Sequence, residues 1–547
     1  MGRDNAKERY CVLACTCLLT FGSYYCFDMP GVLENQITHS VIEPFAPGQG
    51  STYYNLFYTV YAWTNMVVSL FAGLLVDKYG VVPSVFLFLS FCLIGQAVWS
   101  LGADLESTTA ASRFAIMFGG RFIFGMGGGS ITIAQNAITA YWFSGRELAM
   151  AFGITLSVSR LGSVLNFNLT TAIFDAFVGM YTERNTIKNQ AYLLCAPNSD
   201  TNKWPVGIIP DDNDLVVCRK ALSSTFWIGG GLIALSFISA LIWRAAHNQE
   251  QREEGQKLLD AKTMLPGDVL LMEPRVSTVQ AGKPSRKKMK LSDIKELPIS
   301  FWLCGLIIMT FYEIIFPFMA IAKDLLADGI NGEGNYGLTS QEAGSVTSIV
   351  YIMSMVFSPF LGRAVDYFGN RTILGIFGCF LGVPAFALLA YTSISPIVSM
   401  LLLGASYCVC AAVLWPSIQF LVDRKIVGTA NGLATSMQML GIGICNIVTG
   451  RLMDANTKNK IVDYYPTLLF FAFMSIVATI FAFVLMCVDK TNGNKLHGGQ
   501  RNSSRSSDRD PLLPSSADAV DSPGMNYLTS PQGAVSTSHA KQWSGRN

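Results

Sequence analysis

The chain has 547 residues, of which 51% are hydrophobic and only 14% are charged, and its formal net charge is +2. A soluble domain could not bury so large an apolar fraction, so the composition excludes an ordinary soluble protein. The nearly balanced charge, without a basic stripe, gives no basis for nucleic acid as a partner.

Twelve long apolar runs follow one another along the chain. Each is about 20 residues or longer, enough to cross roughly 30 Å of hydrocarbon as an α-helix. Helices satisfy their own backbone hydrogen bonds in lipid. We therefore predict an all-α integral membrane protein with twelve transmembrane helices. The runs cover residues 10–27, 53–76, 81–101, 114–141, 147–177, 221–244, 298–322, 342–365, 372–391, 396–422, 428–451 and 464–488.

Basic residues are distributed unevenly between the loops. Residues 247–296 include ten Lys and Arg, whereas residues 28–52 include none. Because basic loops remain in the cytosol, we predict that both termini and the central loop are cytosolic. The predicted organisation is a cytosolic N-terminus (1–9), a six-helix bundle (10–245), a central loop (246–297), a second six-helix bundle (298–488) and a disordered cytosolic tail (489–547).

A short motif occurs twice, six predicted helices apart. GLLVDKYG follows the second helix and GRAVDYFG follows the eighth, so both copies read GxxxDxxG. Glycine allows tight turns and close helix approach, and a carboxylate at the membrane edge can pair with arginine or a helix N-terminus. The repeat predicts two related bundles that rock against each other. The predicted conformational residues are Gly73, Asp77, Gly80, Gly362, Asp366 and Gly369.

These motifs resemble those of the major facilitator superfamily, which carries GxxxDxxG between helices two and three. RFIFGMG, beginning at Arg121, resembles its RxxxGxG motif, so Arg121 joins the predicted conformational residues. The strings FGSYYCFDMPGVLENQ, GRFIFGMGGGSITIAQN, LSVSRLGSVLNFNL and VLWPSIQFLV are similar to the superfamily's lysosomal dipeptide transporters. The resemblance implies a multi-pass protein of the lysosomal membrane, a uniporter that exports dipeptides from lumen to cytosol.

Three charged residues lie well inside predicted helices, namely Arg121, Arg160 and Glu313. Charges at bilayer depth are costly unless paired or hydrated, so each is a candidate for the solute path. Arg160 is the first candidate because a planar guanidinium suits a carboxylate, and the resembled family uses the matching arginine for the peptide's terminal carboxylate. A structural ion pair is the alternative for Arg160, and a structural role is favoured for Arg121.

An ammonium group in the substrate calls for an acidic partner. The resembled family has an acid after the glycine pair of helix four, where this chain has Gly129. Helices one, four, seven and ten line the cavity in that fold, so we predict that Glu313 in helix seven supplies the acid from the opposite half. The alternatives are a structural pair of Glu313 with Lys323 or an arginine, and a proton-coupling role.

Polar and aromatic side chains complete the predicted binding site. Amides can bond a peptide link, and aromatic faces can accept varied side chains or a cation. Packing is the alternative for each of them. They are Tyr24, Gln135, Asn136, Asn166, Tyr407 and Trp415. Asp28 ends the predicted first helix and is expected to be either a gate or a helix cap.

The polar, Ser-rich tail contains a short sorting motif. Asp508, Leu512 and Leu513 have the spacing of the acidic dileucine signals that sorting adaptors bind, which agrees with the lysosomal resemblance. The resembled family also depends on a glycosylated accessory subunit. The loop 179–220 has no Asn-x-Ser/Thr site of its own, so a shielding partner of this kind is expected here.

Thirteen cysteines and four histidines show no metal-ligand spacing, so neither a metal nor a cofactor is predicted. Cys195 and Cys218 share one loop on the predicted lumenal face, where a disulfide and two free thiols both remain open.

Two other functions compete with dipeptide transport. The first is a proton-coupled or facilitative carrier of another small organic anion, which would need Arg160 but no acid at position 129. The second is a non-transporting membrane scaffold. An enzyme is not expected, because no nucleophile has a base at usable spacing.

Overall fold

The computed structural model describes residues 6–105, 108–143, 146–184, 212–263, 297–330, 336–392, 394–422, 427–458, 461–494 and 496–497. These residues belong to one compact unit, Met1–Gln500. The helices are α1 (Ala6–Val32), α2 (Glu34–Ile37), a π-helical turn (Thr38–Ile42), α3 (Gly50–Tyr79), α4 (Val81–Asp104), α5 (Ala110–Trp142), α6 (Arg146–Arg184), α7 (Asp212–Thr263), α8 (Ile299–Asp328), α9 (Ser340–Phe368), α10 (Arg371–Phe380), α11 (Gly382–Tyr391), α12 (Pro396–Leu421), α13 (Val427–Ala455) and α14 (Tyr465–Thr491). Two short antiparallel strands, β1 (Thr457–Lys458) and β2 (Ile461–Val462), join α13 to α14.

Twelve helical segments of this part of the chain are long and apolar enough to cross a membrane, which confirms the predicted fold class. The ninth segment, Arg371–Tyr391, consists of α10 and α11 and is interrupted at Leu381. The first part of the predicted central loop is helical, because α7 continues to Thr263. Residues 246–263 are mostly Ala, Gln, Glu, Lys and Leu, which favour helix without being apolar. Hydropathy therefore located the end of the apolar run and not the end of the helix.

The duplicated motif ends two helices in the same way. Gly80 follows α3 with φ of 91°, and Gly369 follows α9 with φ of 70°. Residues with a Cβ rarely adopt such positive φ angles, which explains why glycine occupies both positions. The first glycine of each motif does not serve close helix approach, because a Cβ added at Gly73 or Gly362 would meet nothing within 4 Å. The side chains of Asp77 and Asp366 lie outside the described part of the structure.

Four of the long helices contain an internal proline, and in three of them a neighbouring helix binds the carbonyl that proline leaves free. Proline has no N–H, so the carbonyl four residues earlier loses its partner. For Pro30 in α1, Arg121 donates to the Cys26 carbonyl at 3.2 Å. For Pro317 in α8, the Cys445 thiol donates to the Glu313 carbonyl. Such compensation is how membrane helices tolerate proline.

The third proline, Pro359, frees the Met355 carbonyl in α9, to which the Ser157 hydroxyl of α6 donates at 2.8 Å. This bond links the two halves of the molecule. The halves pack together mainly along two helix pairs, α3 with α13 and α6 with α9. Between these two pairs α1 contacts α8 across the interface, and α12 packs against both α8 and α9.

Candidate functional site

Arg160 lies at the centre of this interface, beneath three aromatic rings. Its guanidinium carbon is 5.2 Å from the Tyr24 ring, 5.7 Å from that of Tyr351 and 4.8 Å from that of Tyr407. We call these three residues the tyrosine cage. Tyr24 belongs to the first half, whereas Tyr351 and Tyr407 belong to the second. The cage thus holds a buried cation between the halves through cation–π contacts.

Arg160 makes no hydrogen bond or ion pair with any residue that the structure describes, although it is 93% buried. The predicted alternative of a structural ion pair therefore has no partner in this part of the chain. A buried donor without a partner costs about 1–3 kcal/mol, and more for a charged group. The planar set of guanidinium donors therefore has no partner among the described residues.

Unpaired polar atoms continue around Arg160. Asp28 accepts a hydrogen bond from the Tyr351 hydroxyl through Oδ1 at 3.0 Å, whereas its Oδ2 has no partner in the part of the chain that the structure describes. The Ser163 hydroxyl lies close to this carboxylate, but it makes no hydrogen bond of good geometry to it or to any other described residue. The Tyr407 hydroxyl has no partner among the described residues either. Native proteins pair most buried polar atoms, so a cluster of unpaired ones marks a place for a polar ligand or for water.

Sequence reasoning missed the contribution of Asp28 to this cluster. It ended the first helix at residue 27, whereas α1 continues through Pro30 to Val32 and leaves Asp28 buried inside it. Asp28 interacts electrostatically with both Arg160 and Arg121. It is therefore not a helix cap, and its role as a gate stays a prediction.

Two further site residues were missed, Tyr351 and Tyr312. Tyr351 lies in the eighth membrane segment, which the resemblance did not place at the cavity. Tyr312 accepts a hydrogen bond from Trp415 Nε1 at 2.9 Å, and its ring lies 6.1 Å from that of Tyr407. Trp415 thus supports the tyrosine cage through Tyr312.

The predicted amides have different surroundings. Gln135 donates to the Thr16 carbonyl and the Thr20 hydroxyl, and Thr20 in turn contacts Ser159 at 2.6 Å. This network joins α5, α1 and α6 one turn from Tyr24. Asn136 is exposed. Asn166 accepts from Thr170 at 2.7 Å and leaves its Nδ2 unpaired and buried.

Glu313 is separate from the Arg160 cluster. Its carboxylate packs against Gly441 of α13, where a Cβ would overlap Oε1. The alternative pairing with Lys323 is wrong, because Lys323 forms its ion pair with Asp324 at 2.8 Å. No electrostatic interaction joins Glu313 to Arg160 among the described residues. Asp28 is thus the acid that shares the surroundings of Arg160.

The space beside Gly129 is already filled. A Cβ added to Gly129 would overlap the side-chain amide of Asn65 in α3. Asn65 is fully buried, and its Oδ1 accepts from Ser69 at 2.7 Å. A neutral amide therefore occupies the region where the resembled family has its acid.

Arg121 has a different environment from Arg160. Besides its bond to the Cys26 carbonyl, its guanidinium carbon lies 4.5 Å from the Trp99 ring and 5.5 Å from that of Phe124. It thereby ties α5 to the proline-interrupted part of α1. These contacts support a structural role for Arg121.

The predicted lumenal end of the interface is closed by hydrogen bonds between the halves. Asp454 of α13 accepts from the backbone N–H groups of Ser51 and Thr52, at 2.9 and 2.8 Å. Asp324 accepts from the Asn35 backbone at 2.9 Å. Carboxylates of the second half thus bind backbone donors of the first half, and we call these contacts the lumenal latch.

Glu34 lies buried behind the lumenal latch. Burial raises the pKa of its carboxyl well above the ordinary value, and the nearby Asp324 and Asp328 raise it further, whereas Lys323 acts in the opposite direction. Opening this end would hydrate Glu34 and return its pKa toward the ordinary value of a glutamate. Protonation of Glu34 therefore stabilises the closed state of this end relative to the open state. This stabilisation is lost as pH rises through the raised pKa.

We expect the predicted lumenal end to open more at pH 8 than at pH 5, and Glu34→Gln to reduce this dependence. Spin labels at Gln49→Cys and Gln341→Cys, both exposed and on opposite halves, report the opening as a longer distance. Glu43→Gln in the same segment serves as the control and should leave the pH dependence intact. An unchanged pH dependence in Glu34→Gln would contradict the role of Glu34.

Other predicted features lie apart from this site. Cys218 is disulfide-bonded, and its predicted partner Cys195 lies outside the described residues. The sorting residues Asp508, Leu512 and Leu513 also lie outside them.

Two six-helix bundles with a buried, incompletely paired arginine between them define a multi-spanning membrane transporter. The sequence model described as Major Facilitator Superfamily matches residues 16–318 and 301–529. The chain belongs to the major facilitator superfamily.

Curated relatives of the chain are transporters. The "Lysosomal dipeptide transporter MFSD1" of Homo sapiens is 29% identical over 495 residues, which cover 90% of this chain and 89% of the relative. Its Bos taurus counterpart is 30% identical over 452 residues, covering 82% and 81%. These matches confirm the predicted resemblance.

Solved structures agree on the fold. A D-xylose-proton symporter superposes with a TM-score of 0.57 at 13% identity, covering 87% of this chain and 96% of the symporter. A POT family transporter in complex with 5-aminolevulinic acid gives a TM-score of 0.56 at 12% identity, covering 88% and 96%.

Proposed function

We propose that this protein is a facilitative transporter of dipeptides that exports them from the lysosomal lumen to the cytosol. The observation that carries the proposal is the unpaired guanidinium of Arg160, which lies between the halves within the tyrosine cage. A peptide's terminal carboxylate matches these planar donors. The relatives, which are lysosomal dipeptide transporters by name, support the same substrate class and the lysosomal location.

The transport mechanism follows from where Arg160 lies. Its cage combines rings from both halves, so a carboxylate bound there contacts groups that move relative to each other when the halves rock. Opening one end while the other closes carries the site from lumen to cytosol. With both termini in the cytosol, the latched end of this structure is the lumenal one. Sorting adaptors that bind Leu512 and Leu513, and a glycosylated accessory subunit, belong to the same proposal.

A carrier of small organic anions is the second candidate. The observation that favours it is the neutral Asn65 amide beside Gly129, which leaves this region without an acid. A ligand with a carboxylate and no ammonium group would then suffice for Arg160.

Thermal unfolding of the purified protein distinguishes these candidates. A ligand that binds the native state stabilises it, by about 2.7 kcal/mol at a hundredfold excess over Kd. We expect Ala-Ala to raise the Tm by several degrees and acetate or lactate to have little effect. Stabilisation by acetate or lactate but not by Ala-Ala would favour the anion carrier. If none of the three ligands raised the Tm, both candidate functions would be contradicted.

Uptake of labelled Ala-Ala into proteoliposomes tests the transport step. We expect uptake down the peptide gradient without an imposed proton gradient, as facilitated diffusion requires. Uptake that appears only with an inward proton gradient would identify a coupled transporter instead.

A further inference from the structure

We infer that Asp28 binds the substrate's ammonium group, so that Asp28 and Arg160 together recognise a zwitterionic ligand. The inference rests on the proposed function and adds to it the residue that selects a free amino terminus.

The first step is the chemistry of the Asp28 carboxylate. It is 96% buried, and the Tyr351 hydroxyl satisfies only Oδ1. Oδ2 remains without a hydrogen-bond partner among the described residues. An ammonium group offers three donors and one positive charge, which is what a half-satisfied buried carboxylate lacks.

The second step is the relation of Asp28 to Arg160. They interact electrostatically but form no ion pair, so neither neutralises the other by direct contact. Tyr351 stands between them, because its ring faces Arg160 while its hydroxyl binds Asp28. A ligand with both charges can reach the two residues at once. Because Tyr351 belongs to the second half, such binding would also join the halves.

The third step compares the other acid. Glu313 packs against Gly441 and has no electrostatic interaction with Arg160 among the described residues. A dipeptide bound at Arg160 would therefore find its acidic partner in α1 and not in α8. Gly129 and Asn65 occupy the region where an acid would otherwise fit. Asp28 therefore supplies the acidic partner for the amino terminus of the substrate.

The test compares two peptides that differ only at the amino terminus, Ala-Ala and N-acetyl-Ala-Ala. Asp28→Asn keeps the acceptor for Tyr351 and the side-chain volume while it removes the charge. We expect it to weaken binding of Ala-Ala about tenfold or more and that of N-acetyl-Ala-Ala less than about twofold, since a hydrogen bond to a charged group is lost only with the free amine. Binding is measured by thermal shift and by competition with labelled Ala-Ala.

Glu313→Gln is the matched control and should change the affinity for neither peptide. Tyr351→Phe, which removes only the donor that positions Asp28, should reduce the preference for the free amine without abolishing it. Equal losses for both peptides in Asp28→Asn would overturn the inference, as would a selective loss of Ala-Ala binding in Glu313→Gln. Failure of the unsubstituted protein to bind Ala-Ala would instead contradict the proposed function itself.

Discussion

Arg160→Lys is expected to reduce dipeptide uptake by about 10- to 150-fold while leaving the ligand-free protein as stable as before. Lysine keeps the charge but not the planar set of donors that a carboxylate binds in bidentate fashion. The loss corresponds to about 1.5–3 kcal/mol for a hydrogen bond to a charged group. Uptake by proteoliposomes and the Tm without ligand are the two measurements.

The ligand-free Tm separates a binding role from a structural one. Arg160 makes no hydrogen bond to any residue that the structure describes. Arg160→Gln should therefore preserve or raise the ligand-free Tm, while the rise in Tm caused by Ala-Ala disappears. Arg113→Lys is the control, because Arg113 is also buried but donates to the Leu105 and Thr108 carbonyls, at 3.3 and 2.8 Å. That substitution should lower the Tm and leave the affinity for Ala-Ala unchanged. A large fall in the ligand-free Tm of Arg160→Gln would show that the arginine is structural.

The sequence predicted the twelve membrane segments because their signal is local. A run of apolar residues long enough to cross a bilayer needs no knowledge of its neighbours. The same property explains why the sequence did not show that α7 continues past its apolar run to Thr263. Arg160 was also predictable, since an arginine in the middle of an apolar segment is rare and costly.

The partners of Arg160 depend on tertiary packing and were not predictable. Asp28 was assigned to a helix end because Pro30 follows it, and proline usually ends a helix. In the structure Arg121 binds the carbonyl that Pro30 frees, so α1 continues and Asp28 becomes buried. The sequence contains both residues, but nothing in their spacing shows that they meet. Tyr351 was missed for a similar reason, because only packing brings α9 against α6 and α1.

The proposed binding site and the lumenal latch are connected through α1. Asp28 lies within α1, and Asn35 in the adjoining α2 donates to Asp324 of the second half. A ligand that reaches Asp28 therefore acts on the helix that leads directly to the closed end. This connection gives a route by which substrate binding could change the strength of the latch.

Asp454→Ala is expected to shift the predicted lumenal end from closed toward open by about tenfold or more. Ser51 and Thr52 lie in the first turn of α3, where backbone N–H groups have no partner within the helix. The Asp454 carboxylate binds both of them across the interface, a favourable place for an anion, and each such bond contributes about 1.5–3 kcal/mol. In the open arrangement water replaces these bonds, so their loss penalises only the closed state. The distance between spin labels at Gln49→Cys and Gln341→Cys measures the shift.

Asp463→Ala provides the matched control for the latch. Asp463 also accepts from a backbone N–H, that of Tyr465 at 2.9 Å, but both residues belong to the second half. Its removal should lower the Tm slightly and leave the spin-label distance unchanged. If Asp463→Ala opened the end as much as Asp454→Ala, the cause would be a general weakening of the second half. If neither did, closure would depend on the packing of α3 against α13, where a Cβ at Gly450 would contact the backbone of Ser51 and Thr52. Opening in Asp454→Ala alone would show that a single carboxylate controls which end of the transporter is closed.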